Sequence, residues 1–536
     1  MRPADLLILN ARPWSDGAPV AGADAIAVGS GEILAVGPGA ALEDLAGRGA
    51  ARLDAGGATV TPGLCDSHLH LVAWARARAE VRLEGLARRR DVLEAIARHC
   101  AAHPGPGPVI GRGWGEDGWE APPDRVALDQ VAPGRVVILH SKDYHALWVS
   151  STALERAGVT RATPDPPGGR IERTPSGEPT GVMREHAVRL FDALRPPRTV
   201  EDDQAAVAAA AADLLREGVT AVHDFEGDHE RAVLVAAARA AGPRVRVLMH
   251  LPAAGLDTAL AAGIRSGQGN DWFRIGALKL FADGTLGSRT AAMLEPYDGT
   301  DERGMDLMSP GDLRASAVRA FAGGLSVAVH AIGDRAVRAA LDAFEAAGAP
   351  PLLPPRIEHA QLVHEDDLPR FARLGVAASM QPLHCTADRP LVERWWGTRA
   401  HRSYPWRALL DHGALLAFGS DAPVEEPGVA WGIHAAVTRE DRKAGGGAFT
   451  PGQCVSLDQA LTAYTEAPAR LAGWWPRIGR LAAGAAADLV VWSDDLHRLP
   501  PGRLGSARPR WTVLAGEAFA RDGGQSDVRL AHGSRA

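Results

Sequence analysis

Lysine is almost missing from this chain: Lys142, Lys279 and Lys443 are three of 58 basic residues, and the other 55 are arginine. Arginine therefore serves wherever a generic positive charge suffices. A lysine kept inside an apolar stretch then points to amine chemistry, which a guanidinium cannot perform. Cysteine is scarce too. Cys65, Cys100, Cys385 and Cys454 lie far apart with no C-x-x-C pair, which excludes a disulfide framework or a cysteine-based zinc knuckle. No uncharged apolar stretch reaches the 18 residues of a membrane span. The opening apolar run is only four residues, too short for a secretory signal, so the cytoplasm is the expectation. Positive charge is not in excess: 58 basic against 65 acidic residues give −7, which argues against nucleic acid or an anionic membrane as partner. Internal repeats and low-complexity segments are absent.

What is present is the composition of a folded protein, 46% hydrophobic and 23% charged, with 536 residues to build more than one core. The 60 glycines and 38 prolines are dispersed, as many strand–loop–helix junctions require. Residues 1–60 read as short strands between glycine turns, without helices (LLILNARPW, DAIAVGSGEILAVG, ARLDAGGATVTPG). The texture returns in GRLAAGAAADLVVWS and RWTVLAGEAFARDG. Residues 1–60 and 475–536 are therefore expected to form one composite β-sandwich, with 530–536 frayed. Between them, apolar strands alternate with alanine- and arginine-rich amphipathic helices, the pattern of parallel β/α units. Eight strands can be counted (GLCDSHLH, VTAVHDF, RVRVLMHL, IGALKLF, LSVAVHAI, PRIEHAQLV, VAASMQP, LLAFGSDA), the number that a closed (β/α)8 barrel needs. The fold class is thus α/β: a distorted (β/α)8 TIM barrel over 61–79 and 201–474. Residues 80–200, with their proline–glycine clusters and a ninth strand candidate at 135–140, read as an α+β insertion after the first barrel strand, covering the barrel mouth.

The chemistry sits at strand ends. His68 and His70 in DSHLH are two apart, so on a strand both imidazoles face the same way as a pair of metal ligands. Such a pair is common by chance, but four further residues close apolar strands: Lys279, His330, His359 and Asp421. In a barrel these positions form the C-terminal rim, where active sites lie. Two divalent ions there could activate a shared water and polarise an amide carbonyl, with Asp421 as general base and then acid. Lys279 has a structural alternative, a buried pair with Asp283. Asp66 is expected to orient the histidine pair rather than bind metal. His223 and His250 are candidates for the pocket wall.

The order H-x-H, Lys, His, His, Asp resembles the metal-dependent amidohydrolase superfamily in its binuclear, carboxylated-lysine form. KLFADGTLGSRTAAMLEPYDG, VHAIGDRAV, RIEHAQLV, ASMQPLH and FGSDAPVEEP, with DYHALWVSSTAL and GGRIERTPSGEPTGVMRE in the insertion, are similar to the branch that contains the N-substituted formamide deformylases. The resemblance spans nearly the whole chain. It implies His68 and His70 on a more buried metal, His330 and His359 on a second, and a CO2-derived carbamate on Lys279 bridging the two. Asp421 would touch the first metal and act on a bridging hydroxide. Two zinc ions are the first expectation, with iron, manganese or nickel open. Tyr144 and His145 in DYHALWV, Arg289 in GSRTA and Trp114 are the candidates for substrate contact; Trp119 and Trp148 could join Trp114. Tyr144 and Ser150 depart from the branch, in which glycine and asparagine are frequent at those positions. The expected reaction is hydrolysis of a non-peptide C–N bond in an N-substituted formamide or other N-acyl amine, a small molecule. A deaminase or cyclic amidase acting on a heterocycle is the alternative, and a silent scaffold the more distant one. A homo-oligomer is open at this point.

Overall fold

Eight parallel strands surround the centre of the computed structural model, which describes residues 3–78, 80–195, 199–240, 242, 244–442 and 447–521. The expected fraying at 530–536 and Lys443 lie outside these residues. The barrel strands are β1 (Leu64–Leu69), β2 (Val219–Asp224), β3 (Arg246–Pro252), β4 (Phe273–Phe281), β5 (Val327–Ala331), β6 (Arg356–His359), β7 (Ala377–Met380) and β8 (Leu416–Phe418). They pair in sequence order, each corresponding to one of the eight apolar segments read from the sequence. The seam between β8 and β1 is closed just past the strand ends. There Asp421 N–H donates to the His68 carbonyl (2.7 Å) and His70 N–H to that of Ala422 (2.8 Å). Gly419 makes this approach sterically allowed, since a Cβ there would lie 2.5 Å from the His68 nitrogen and 2.7 Å from an Asp66 carboxylate oxygen.

The helices pack on the outside by apolar faces of helical period. Helix Val200–Arg216 buries Val207, Ala210, Ala211 and Leu214, and it stops at Glu217 and Gly218, whose φ of 82° suits glycine. Inside the barrel, alternate residues turn inward and many are polar. Arg356 crosses the interior: it donates to Glu358 (2.5 Å), to the Ser67 carbonyl (2.7 Å) and to Ser379 Oγ (2.6 Å), and it meets His223 Nδ1 at 2.8 Å. His223 and His250 are fully buried in this interior and do not line the catalytic cavity, contrary to the sequence expectation.

Strands from both ends of the chain share one six-stranded sheet. Arg12–Ser15, Ala18–Pro19 and Thr59–Pro62 sit beside Leu489–Trp492, Pro509–Leu514 and Glu517–Ala520. A four-stranded sheet formed within residues 4–54 faces it, with Leu6, Ile26, Val60, Leu489 and Val513 in the shared core. One helical turn at Gly39–Leu42 interrupts what the sequence suggested was helix-free. A third, mixed sheet runs from Val81–Arg82 to Pro179–Glu185 and includes Val137–Ser141, the ninth strand candidate. Among the described residues no helix is long and apolar enough to cross a membrane.

Candidate active site

A cavity of about 690 Å³ opens where the C-terminal ends of the barrel strands meet the third sheet. His68, His70, Lys279, His330, His359 and Asp421 all line it. His68, His359 and Asp421 present donor atoms within 4.8 Å of one another. Asp421 Oδ1 lies 3.5 Å from Nε2 of both His68 and His70, and the His330 ring is 4.6 Å from that of His359. Burial works against the charge on Asp421, but the imidazoles of His68, His70 and His384 hold its carboxyl well below the usual range. Burial also pushes His68, His330 and His359 well below the usual imidazole range, toward the neutral form that binds metals. His359 (φ 75°) and Asp421 (φ 59°) occupy the left-handed region, a strain of about 1–3 kcal/mol each that the surrounding contacts must hold.

The supporting contacts fix which nitrogen faces the cavity. Glu358 is buried and lies 2.6 Å from His68 Nδ1. This leaves Nε2 free toward Asp421, the carboxylate–histidine arrangement of metal sites. Gln381 Oε1 binds His359 Nδ1 at 2.8 Å, and the Gly284 carbonyl holds His330 Nε2 at 3.2 Å. Asp66 accepts the backbone N–H groups of His68 (3.2 Å) and Ser420 (2.9 Å), the orienting role expected of it. Burial raises its pKa to about 7. Neutral imidazoles with a carboxylate, braced from behind, fit a divalent metal.

Lys279 is buried, with Nζ 4.5 Å from the centre of the Phe225 ring and 4.9 Å from that of Phe281. Burial lowers its pKa to about 8, against the pull of Glu358 and Asp421. The alternative pairing with Asp283 is not adopted. That carboxylate accepts the backbone N–H groups of Ala292, Ile332 and Gly333 at 2.8–3.0 Å.

The insertion supplies the cavity's upper wall. Tyr144, His145 and Trp114 all line it. Asp143 accepts the Thr285 hydroxyl at 2.7 Å and Lys142 meets Glu425 at 2.8 Å, tying this wall to the loops after β4 and β8. Burial disfavours charge on His145, but Glu185, 2.7 Å from its Nδ1, and Asp143 outweigh it and hold the pKa at about 9. The Tyr144 ring stacks on His140, and its buried hydroxyl has no hydrogen-bond partner among the described residues. Trp114 also packs with Trp119 and Trp148 in the insertion core. Arg289 does not reach the cavity: it is exposed, with its guanidinium over the Trp395 ring at 5.0 Å. The loop that carries it turns at Arg289 itself (φ 54°), so the side chain faces outward.

Several groups escaped the sequence reading. His384, in helix Pro382–Ala387 after β7, is buried, and its Nε2, 4.0 Å from Asp421, has no hydrogen-bond partner among the described residues. Phe281 is 40% exposed, and that exposure faces the cavity. The signal for His384 was present in ASMQPLH, a polar residue just past a strand end. Glu358 could have been found as one of two charges spaced two apart in a buried strand.

Comparison with known proteins follows the same lines. The profile of the Amidohydrolase family matches residues 52–519. The chain is 33% identical to the protein LONG AFTER FAR-RED 3 of Arabidopsis thaliana, over 92% of this chain and 88% of that one. It is also 33% identical to the putative amidohydrolase YtcJ of Bacillus subtilis, over 86% and 89%. With the N-substituted formamide deformylase of Arthrobacter pascens it shares 31% identity over 93% and 95%. An uncharacterized metal-dependent hydrolase from Pyrococcus furiosus superposes with a TM-score of 0.71 at 28% identity, covering 90% of this chain and 98% of that one. Atrazine chlorohydrolase TrzN from Arthrobacter aurescens, solved with zinc, shares the fold at a TM-score of 0.54 and 16% identity, with 98% of each chain covered.

Proposed function

The chain belongs to the amidohydrolase family, metal-dependent hydrolases of carbon–nitrogen bonds, and from that membership we propose that its substrate is an N-substituted formamide or another N-acyl amine with an apolar N-substituent. The observation that carries the reading is the opening of the His68–His359–Asp421 cluster into a cavity walled by Phe281, Tyr144 and Trp114. Such a space accommodates an apolar amine substituent beside a polar reaction centre.

His68, His70 and Asp421 would hold one ion, and His330 and His359 a second. Lys279, as a CO2-derived carbamate, would serve both. The low pKa of Lys279 supports this role, because the neutral amine is the form that reacts with CO2. When bound, the metal supplies Lewis acidity toward the amide carbonyl and makes water a stronger acid. Two zinc ions are the proposed complement, on the ground of the imidazole-rich donor set.

The chain's own groups account for the proton traffic. Asp421, ionised and strained at the rim, takes a proton from the attacking water and returns it to the departing nitrogen as the C–N bond breaks. One water is consumed, and a carboxylic acid and an amine leave. His145, a cation at neutral pH braced by Glu185, stabilises negative charge developing on the carbonyl oxygen. Tyr144, Trp114 and Phe281 hold the N-substituent.

The test is amine release from a panel of N-substituted formamides, longer N-acyl amines and cyclic ureides, with metal content measured in parallel. Turnover is expected for formamides or simple acyl amines with aromatic or branched substituents. Turnover of cyclic ureides alone would overturn the substrate assignment in favour of a cyclic amidase.

A further inference from the structure

A second cavity, about 470 Å³, shares no lining residue with the catalytic one. Its wall carries Arg78, Arg82, Arg112, Arg216, Arg508 and Arg521 against Asp213, Glu217 and Glu426. Even with Glu84 counted, which pairs with Arg112 and lies 3.8 Å from Arg82 just outside this wall, six guanidinium groups meet four carboxylates, opposite to the whole chain, whose net charge is −7. The carboxylates are already shared. Asp213 bridges Arg78 and Arg216. Glu426 accepts from Arg82 (2.6 Å), Arg112 (3.3 Å) and the Trp74 indole N–H (3.1 Å). Glu217 takes Arg521 at 2.9 Å. Among the described residues Arg508 has no carboxylate partner. It is half-buried and donates from a single terminal nitrogen to the carbonyls of Gly505 and Ala507 (2.6 and 2.9 Å). The rest of its fork is left for a ligand.

An ordinary solvated arginine surface is convex and matched by acids; this one is concave, has a surplus of cations and is lined by the half-buried Trp431 indole, while Trp74 lies buried with the Arg78 guanidinium over its ring. Guanidinium forks bind carboxylate and phosphate oxygens in pairs, and indole faces accept flat apolar groups. We propose that this crevice binds a small organic anion, a carboxylate or phosphate ester with a planar apolar body, at a site separate from the catalytic cavity. Trp74 lies on helix Leu71–Ala77, which begins directly after His70, and Glu426 lies five residues beyond Asp421. A ligand here therefore touches both segments that carry metal-site residues.

The test is calorimetric titration of the metal-loaded full chain at low ionic strength with benzoate, phenyl phosphate, inorganic phosphate and benzylammonium. Benzoate or phenyl phosphate should show a saturable component that weakens at least tenfold in Arg508→Gln and in Trp431→Ala, and that falls with added salt. The tighter of the two tells a carboxylate site from a phosphate site. Arg82→Gln, at an exposed rim position, serves as a second charge variant least able to disturb folding, and it should weaken the same component. The proposal is overturned if every component survives these variants unchanged, or if neither organic anion gives saturable heat. Benzylammonium binding equally well, or inorganic phosphate matching phenyl phosphate, also overturns it. Because binding is read directly, loss of amidohydrolase activity on the panel would leave this result intact.

Discussion

Replacing Glu358 with glutamine probes the site from behind without touching a residue that faces the cavity. Glu358 is fully buried, meets His68 Nδ1 at 2.6 Å and pairs with Arg356 at 2.5 Å. Two losses are expected, with different sizes. Removing one partner of a buried ion pair costs about 3–5 kcal/mol. At ~2.1 cal/mol/K per residue, unfolding the 536-residue chain carries about 1.1 kcal/mol/K. Thermal unfolding should therefore fall by about 3–4 °C. Separately, loss of the carboxylate behind a ligating histidine costs about 10–100-fold in metal affinity. Glu358→Gln combined with Arg356→Met tells the two apart. Removing both charges should recover part of the stability, because the stranded cation is gone, while metal affinity stays low because His68 still lacks its carboxylate. The assays are thermal unfolding and metal competition against a chelator. Recovery of metal affinity together with stability in the double variant would refute the reasoning, since Glu358 would then act on the fold alone.

Asp421→Asn should retain metal but lose about 10²–10⁴-fold in turnover, the range for removing a general acid–base group; near-normal kcat would remove Asp421 from the proton path. Lys279→Arg should lose metal and activity together, whereas Lys279→Ala should regain some of both with a short carboxylic acid in a concentration-dependent way. A free ammonium at Lys279 in a fully metallated, active enzyme, seen by native mass measurement, would eliminate the carbamate. Tyr144→Gly should alter relative kcat/KM across N-substituents without changing metal content; a common factor across the panel would make Tyr144 structural. The His145–Glu185 pair raises the folded pKa of His145 to about 9 from the ordinary 6.5. Its stabilisation is thus full below about pH 6.5 and lost as pH rises through about 9. kcat/KM should show an alkaline limb near pH 9 that moves downward in Glu185→Gln; an unmoved limb would assign it elsewhere.

The barrel and its rim were legible because each rim residue ends an apolar run: His330 closes LSVAVH and Asp421 closes LLAFGSD, and strand ends in a parallel barrel converge on one face. Lys279 was conspicuous against a background of arginine. Supporting groups were harder to read, since their meaning depends on which strands become neighbours. Glu358 matters because β6 brings it beneath His68 on β1, far away in sequence. Gln381 and His384 belong to the turn and helix after β7, where no strand pattern marks orientation. Arg289 was misread for the same reason: its position after β4 suggested the cavity, but a loop residue's direction follows from local φ and a partner such as Trp395. His223 and His250 show that an inward-facing residue in a barrel strand can belong to the buried interior rather than to the mouth.

The β8–β1 seam couples two properties usually treated apart. β8 has only three residues, and the bonds that close the barrel there come from Asp421, His70 and Ser420, the last to Asp66. Any breathing of the cylinder along this line must pull His68, His70 and Asp421 away from one another. An ion that binds only the closed form clamps the seam, with a gain of about 4 kcal/mol at a thousandfold excess over its Kd. Metal loading should therefore act as a zipper for the barrel, slowing amide exchange at His70 and Asp421 far more than in the outer helices, so that stripping the ion opens the fold first at the place where the chemistry is done.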